Sequence, residues 1–193
     1  MSANTGSAVA SPSSPLVQRQ ATLRGRYRVY PEEACIRKRA YTVWAGGEDA
    51  VHGTVAAGDG YGVSWSFGID RAVGGDHDAP NPAEMLCAAL AACEHATIRM
   101  IAEVLGVVLE RLEVEATGTV DVRGCLAVDP GVPVGLPALE CRVNMVVAAG
   151  THSRSCEKLK AGAEACCINL ATLRAGVPVA LSWTVSNADE AEG

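Results

Sequence analysis

Aromatic side chains are scarce: they make up 4% of the 193 residues, with a single phenylalanine. The core therefore has to be built from Ala, Val and Leu. Positive charge is also in short supply, with 16 Lys and Arg against 22 Asp and Glu and a net charge of -6. Nucleic acids and anionic membranes are recognised through basic surface, so neither is expected as a partner. The one dense basic cluster, Arg37-Lys38-Arg39, falls in a strand-like segment and reads as a solvated face. The N-terminal stretch lacks the basic start and apolar run of a secretory signal, so a cytoplasmic location is expected. The most apolar stretch, Met85 to Leu109, carries Glu94, His95, Arg99 and Glu103, too many ionisable groups for a membrane span. No CxxC pair occurs and the four histidines are scattered, so neither a zinc site nor any other resident cofactor is expected. Dinucleotide, P-loop, nucleophile-elbow and HExxH motifs are missing as well.

The composition that remains, 49% apolar and 20% charged, is that of a globular protein with one substantial core. Residues 1–20, rich in Ser, Ala and Pro, read as a disordered tail, and residues 187–193 as a disordered acidic one. Residues 21–186 between them form a single expected domain. Within it, Leu23 to Tyr30 is a mixed, basic segment. Cys35 to Ala45, Ala50 to Ala57 and Tyr61 to Ile69 read as strands joined at Gly46-Gly47 and Gly58-Asp59-Gly60, a meander of hairpins. Asn81-Pro82 opens a helix, with Asn a good cap and Pro suited to the first turn, and Gly106 closes it. Leu86, Leu90, Cys93, Thr97, Ile101 and Val104 recur at helical spacing. Only His95, Arg99 and Glu103 form a polar stripe, so this helix is expected to be central and buried. Alternating strands follow at Leu112 to Val122 and Leu139 to Val147, with a Pro- and Gly-rich loop between them. Helices are expected over Thr151 to Cys166 and Cys167 to Ala175, and a last strand over Val177 to Val185. The fold class is α+β, antiparallel sheet wrapped around central helices.

Eight cysteines are present, and in a reducing compartment they are expected to be free thiols. Cys93 sits deep in the helix that opens at Asn81-Pro82. A second cysteine lies near the start of a later helix, in the run Glu164 to Arg174 that holds Cys166 and Cys167. With the lead from Gly106 to Val114, Tyr27-Arg28 and the order of elements, this pattern resembles the OsmC/Ohr family of osmotically induced and organic-hydroperoxide-resistance proteins, over about residues 33 to 185. The resemblance implies an intertwined homodimer with long central helices between sheets. It implies reduction of organic hydroperoxides by a peroxidatic cysteine, which becomes a sulfenic acid, and a resolving cysteine that condenses with it. An external dithiol donor, in some members a lipoyl protein, then reduces the disulfide. By position Cys93 matches the peroxidatic residue and Cys167 the resolving one; Cys166 is adjacent and one residue out of register.

Two positions depart from that pattern. Where family members carry an arginine that reaches the thiolate, the sequence reads Ala50-Val51-His52-Gly53-Thr54-Val55. Where a glutamate directly follows Asn-Pro there is Ala83, with Glu84 one residue later. Cys93 is about three turns into its helix, beyond the helix dipole's reach, and an apolar site without a cation keeps a thiol neutral and poorly nucleophilic. Arg71, Arg39, His52 or an arginine of a dimer partner are the candidate charges; Glu84 is either a first-turn dipole partner or a site residue. Two readings follow: a thiol peroxidase, or a non-catalytic dimer that binds small molecules or senses redox state.

Overall fold

Residues 14–44 and 49–185 are described by the computed structural model. The expected turn at Gly46-Gly47, the first part of the N-terminal tail and the acidic C-terminal tail lie outside them. The first element is a helix, α1 (Pro15–Val29), which begins inside the stretch expected to be a tail. Ser14 caps it, its hydroxyl accepting from Val17 N at 3.4 Å, and Pro15 occupies the first turn. No residue of α1 is buried. It meets the rest of the chain through side chains such as Gln20, whose Nε2 donates to Met100 Sδ at 3.7 Å.

The expected meander follows as three short antiparallel strands, β1 (Ala40–Thr42), β2 (Gly53–Ala57) and β3 (Ser64–Phe67), paired in that order. Tyr41 stands opposite Ala56, and Val55 opposite Trp65. Gly53 pairs with Phe67, whose ring occupies the space a side chain at residue 53 would need, so glycine fits there and a larger residue would not.

Helix α2 (Pro82–Leu105) has the predicted ends. Asn81 Oδ1 accepts from the backbone N–H of Ala83 and Glu84, both at 3.0 Å, and Glu84 Oε2 accepts from Asn81 N at 2.9 Å, completing a capping box. At the other end Gly106 takes the left-handed conformation, with φ 66°. By length and composition α2 is apolar enough to cross a membrane. In the fold it is a core helix, burying Leu90, Glu94, Thr97, Ile98 and Ala102.

Strands β4 (Leu109–Gly118) and β5 (Leu139–Val147) form a second antiparallel sheet, with Val114 opposite Val143. β4 starts and ends earlier than expected. A register irregularity between Leu109 and Arg111 puts Leu109 on the same face as Leu112 and Val114. That face, with Met145 and Val147, packs on Ile98, Ala102 and Val107 and on Leu159 and Ala163 of α3 (Ser153–Cys166). Gly162 lets α3 approach α2 closely: a Cβ there would lie 3.0 Å from Ile101 Cγ2. The last helix, α4 (Ile168–Ala175), ends at Gly176.

Two expectations need correction. Val177 to Val185 forms no strand; Val179, Leu181, Trp183 and Val185 stand exposed without a pairing neighbour. Helix α2 is central but not buried along its whole length, leaving Leu86 near its start and Val104 and Leu105 at its end exposed.

Candidate functional site

Three elements converge near the middle of α2. Cys93 is partly exposed there, and its carbonyl accepts from Thr97 Oγ1 at 2.8 Å. Cys167 sits at the joint between α3 and α4, closing the first helix and preceding the second, and is fully buried. Its backbone N–H donates to Ala163 O at 3.0 Å. Asn169 Nδ2 reaches across to Ala89 O at 2.8 Å and fastens the start of α4 to α2. This places the Cys167 thiol within hydrogen-bonding reach of both Cys93 and the carboxyl of Glu94.

Burial pushes the Cys167 pKa up to about 12. The Leu170 N–H in the first turn of α4 acts in the opposite direction. Contact with Glu94 and with Cys93, each disfavouring negative charge on the sulfur, adds to the rise. Cys141 of β5 is raised too, mainly by burial and secondarily by the charge of Glu94. The resting state of Cys167 is thus the thiol, a hydrogen-bond donor and a weak nucleophile until its proton is removed.

Glu94 is the site residue that pattern reading passed over. It is 7% exposed, and its Oε2 is buried with no hydrogen-bond partner. Its signal was its spacing: Leu90, Glu94 and Ile98 are four apart on the buried face of α2, so a carboxyl is carried into the core. On one side Glu94 meets Cys167. On the other it lines an open cleft of about 600 Å³ whose walls include Leu90, Met145, Leu159 and Leu170. Lys160, Glu164 and Arg174 line the same cleft, and Arg174 Nη2 pairs with Glu164 Oε1 at 2.8 Å.

The other expected site residues are placed elsewhere. Glu84 is exposed and spends its carboxylate on the α2 cap. Cys166 is exposed at the end of α3, whereas its neighbour Cys167 turns inward. Arg71 folds back on its own loop, Nη2 donating to Asp76 O at 3.4 Å. His52 lies between two carboxylates, Nδ1 at 2.9 Å from Asp49 Oδ2 and Nε2 at 2.8 Å from Asp78 Oδ1. Hydrogen bonds to Asp78 first, and Asp49 second, raise its pKa. Arg39 reaches Asp59 at 3.7 Å and stands over the Tyr41 ring. Among the described residues, no group of three or more His, Cys, Asp or Glu is placed to hold a metal ion.

Comparison with known proteins agrees with the fold. The sequence profile of the family described as OsmC-like protein matches residues 75–182, more than half of the chain. Among solved structures, an OsmC-like protein from Mycoplasma pneumoniae superposes with a TM-score of 0.57 at 16% identity, covering 72% of this chain and 88% of the other. An organic hydroperoxide resistance protein from Legionella pneumophila gives 0.51 at 22% identity, covering 72% and 90%. An OsmC-like protein of unknown function from Vibrio cholerae gives 0.57 at 15% identity, covering 72% and 94%. At such identities the likeness is one of fold. No curated relative matches the chain.

Proposed function

The chain belongs to the OsmC-like protein family, and from that premise we propose that it is a thiol-dependent peroxidase that reduces organic hydroperoxides through Cys93 and Cys167. The supporting observation is the meeting of these two sulfurs: α2 and the α3–α4 joint, distant in sequence, bring Cys167 within hydrogen-bonding reach of Cys93. Cys93 is the more accessible of the pair, as the residue that meets a peroxide must be, and Cys167 is held where it attacks only its neighbour. The Cys93 sulfur attacks the terminal peroxide oxygen and the O–O bond breaks, so that this oxygen stays on sulfur as the sulfenic acid and the alkoxide leaves, protonated, as an alcohol. Cys167 then condenses with it, releasing water and leaving a disulfide, which an external dithiol reduces. The working form on this reading is a homodimer in the cytoplasm.

The test is to mix the reduced protein with a slight excess of cumene hydroperoxide, alkylate free thiols and map the bridges by peptide mass spectrometry. Peroxide loss with a Cys93–Cys167 bridge, both abolished in Cys93→Ser, is the expected result. Unchanged peroxide with every thiol free to alkylate would sink the proposal.

One observation favours a second reading, a non-catalytic module that binds small molecules. The candidate cations Arg39, Arg71 and His52 are each engaged with groups of their own segment or a neighbouring loop, while the cleft beside Glu94 is large and mostly apolar. Protein that leaves peroxide untouched yet retains an apolar amphiphile in equilibrium dialysis would establish it.

A further inference from the structure

Glu94 has no part in the two-cysteine scheme as written, yet it is the one described side chain with a buried oxygen left without a hydrogen-bond partner. A carboxyl in that position is costly unless it has a task, because burial without a full set of partners disfavours it. Its neighbours define the task. The Cys167 thiol lies close enough for the carboxyl to act on its ionisation, Cys93 precedes it in the chain, and Glu94 also lines the cleft.

We propose that Glu94 is a catalytic residue of the resolving step, the acceptor that takes the proton from the Cys167 thiol as that sulfur attacks Cys93 and hands it to the departing oxygen. This rests on the two-cysteine reading above and deepens it. As the Cys93–Cys167 sulfur–sulfur bond forms, the sulfur–oxygen bond of the Cys93 sulfenic acid breaks. The Cys167 sulfur is oxidised and the Cys93 sulfur reduced. The Cys167 proton passes to the Glu94 carboxylate and then to the leaving hydroxide, which departs as water through the cleft.

The need for such an acceptor follows from burial. Cys167 has no access to solvent hydroxide, and its pKa of about 12 leaves almost no thiolate at neutral pH. The other ionisable groups on the cleft are Cys141 of β5, Lys160 and Glu164 of α3 and Arg174 of α4. Arg174 is paired to Glu164 and Lys160 bonds to Glu157 at 3.1 Å, while Cys141 is itself a raised thiol. Glu94 is the group of this set in hydrogen-bonding reach of Cys167.

The experiment follows formation of the Cys93–Cys167 bridge by quenched peptide mass spectrometry in the full chain, with two oxidants, cumene hydroperoxide and the aryl disulfide DTNB. With DTNB, Cys167 attacks a Cys93 mixed disulfide and the thiolate of the reagent leaves, so the same proton transfer is read without peroxide chemistry. In Glu94→Gln the bridge should form about a hundredfold more slowly at neutral pH, the usual worth of a positioned proton acceptor, and Cys93 sulfenic acid trapped by dimedone should accumulate instead. The rate in Glu94→Gln should climb with pH while the native rate stays nearly level. Glu94→Asp, which keeps the carboxylate, should bridge faster than Glu94→Gln. Bridging at the native rate in Glu94→Gln, or equal rates in the two variants, overturns the assignment. Native protein that bridges with DTNB but leaves peroxide intact removes the peroxidase reading and leaves the role of Glu94 standing; native protein that bridges with neither removes both.

Discussion

Cys167 carries the strongest chemical signature in the chain, and it has consequences that can be measured before any activity is known. Its pKa is raised from the ordinary thiol value of 9.0 to about 12. Between these values the folded chain holds a proton that the unfolded chain has lost, so folding stability falls as pH rises through this window and is fully present below it. The expected outcome is a thermal midpoint that drops between pH 9 and pH 12 with a steeper slope in the native protein than in Cys167→Ala. Identical slopes would mean the sulfur is not buried as described. Reactivity gives an independent check: iodoacetamide at mildly alkaline pH should label the exposed Cys35, Cys125 and Cys166 and spare Cys167.

His52 titrates for a different reason. Its two carboxylate partners favour the imidazolium, so its pKa is raised, and the bridge it forms from Asp49 to Asp78 is strongest below the ordinary histidine value. The bridge weakens as pH rises through the raised value. In Asp78→Asn the largest of the raising interactions is lost, and the His52 pKa followed by NMR should move down. No movement would place the ring elsewhere. This describes a clamp between the entry to β2 and the loop before α2 that occupies both ring nitrogens of His52.

The elements show what governs legibility. Helix α2 was readable to the residue because both its ends are written locally, in Asn81-Pro82-Ala83-Glu84 and in Gly106. Helix α1 was not, because it buries nothing and so carries no apolar stripe; its signal is only Ser14-Pro15 and a run of helix-tolerant residues. Cys167 was separable from Cys166 only through register with a family pattern, and the structure supplies the physical difference, one sulfur turned into the core and its neighbour into solvent. Glu94 was visible in the sequence as a charge but was grouped with the residues that exclude a membrane. Its four-residue spacing from Leu90 and Ile98 is what assigns it to the core.

The packing of α3 on α2 positions Cys167, so its energetics can be probed apart from the chemistry. Leu159 is fully buried between α2 and the second sheet. Leu159→Ala should cost about 2–5 kcal/mol, the range for a truncated core leucine, read as a lower midpoint in urea at unchanged slope. Gly162→Leu should cost about 1–3 kcal/mol by overpacking against Ile101. A Gly162→Leu protein as stable as the native one would mean the two helices are not in close contact.

At the scale of the whole molecule, the exposed apolar surface is what a single chain leaves unexplained. Trp183 is 81% exposed, Trp44 70% and Trp65 53%, and these are all the tryptophans in the sequence. Val179, Leu181, Trp183 and Val185 alternate like one face of a strand, yet have no strand beside them. Helix α2 leaves Leu86 near its start and Val104 and Leu105 at its end in solvent. Large exposed apolar patches mark interaction surfaces, and a second copy of the chain would offer the same exposed α2 ends and alternating segment to match. The strand expected over Val177 to Val185 rests on an alternation that is present in the sequence, while no described strand pairs with that segment. Light scattering should give the mass of two chains. Tryptophan emission should shift to the red on dilution, as buried indoles return to water. Leu181→Asp together with Trp183→Asp should move the mass toward one chain while Cys93 stays in the sequence to be assayed. A single-chain mass at every concentration, with emission already that of indoles in water, would show that the apolar surface stays open and that the dimeric working form is wrong.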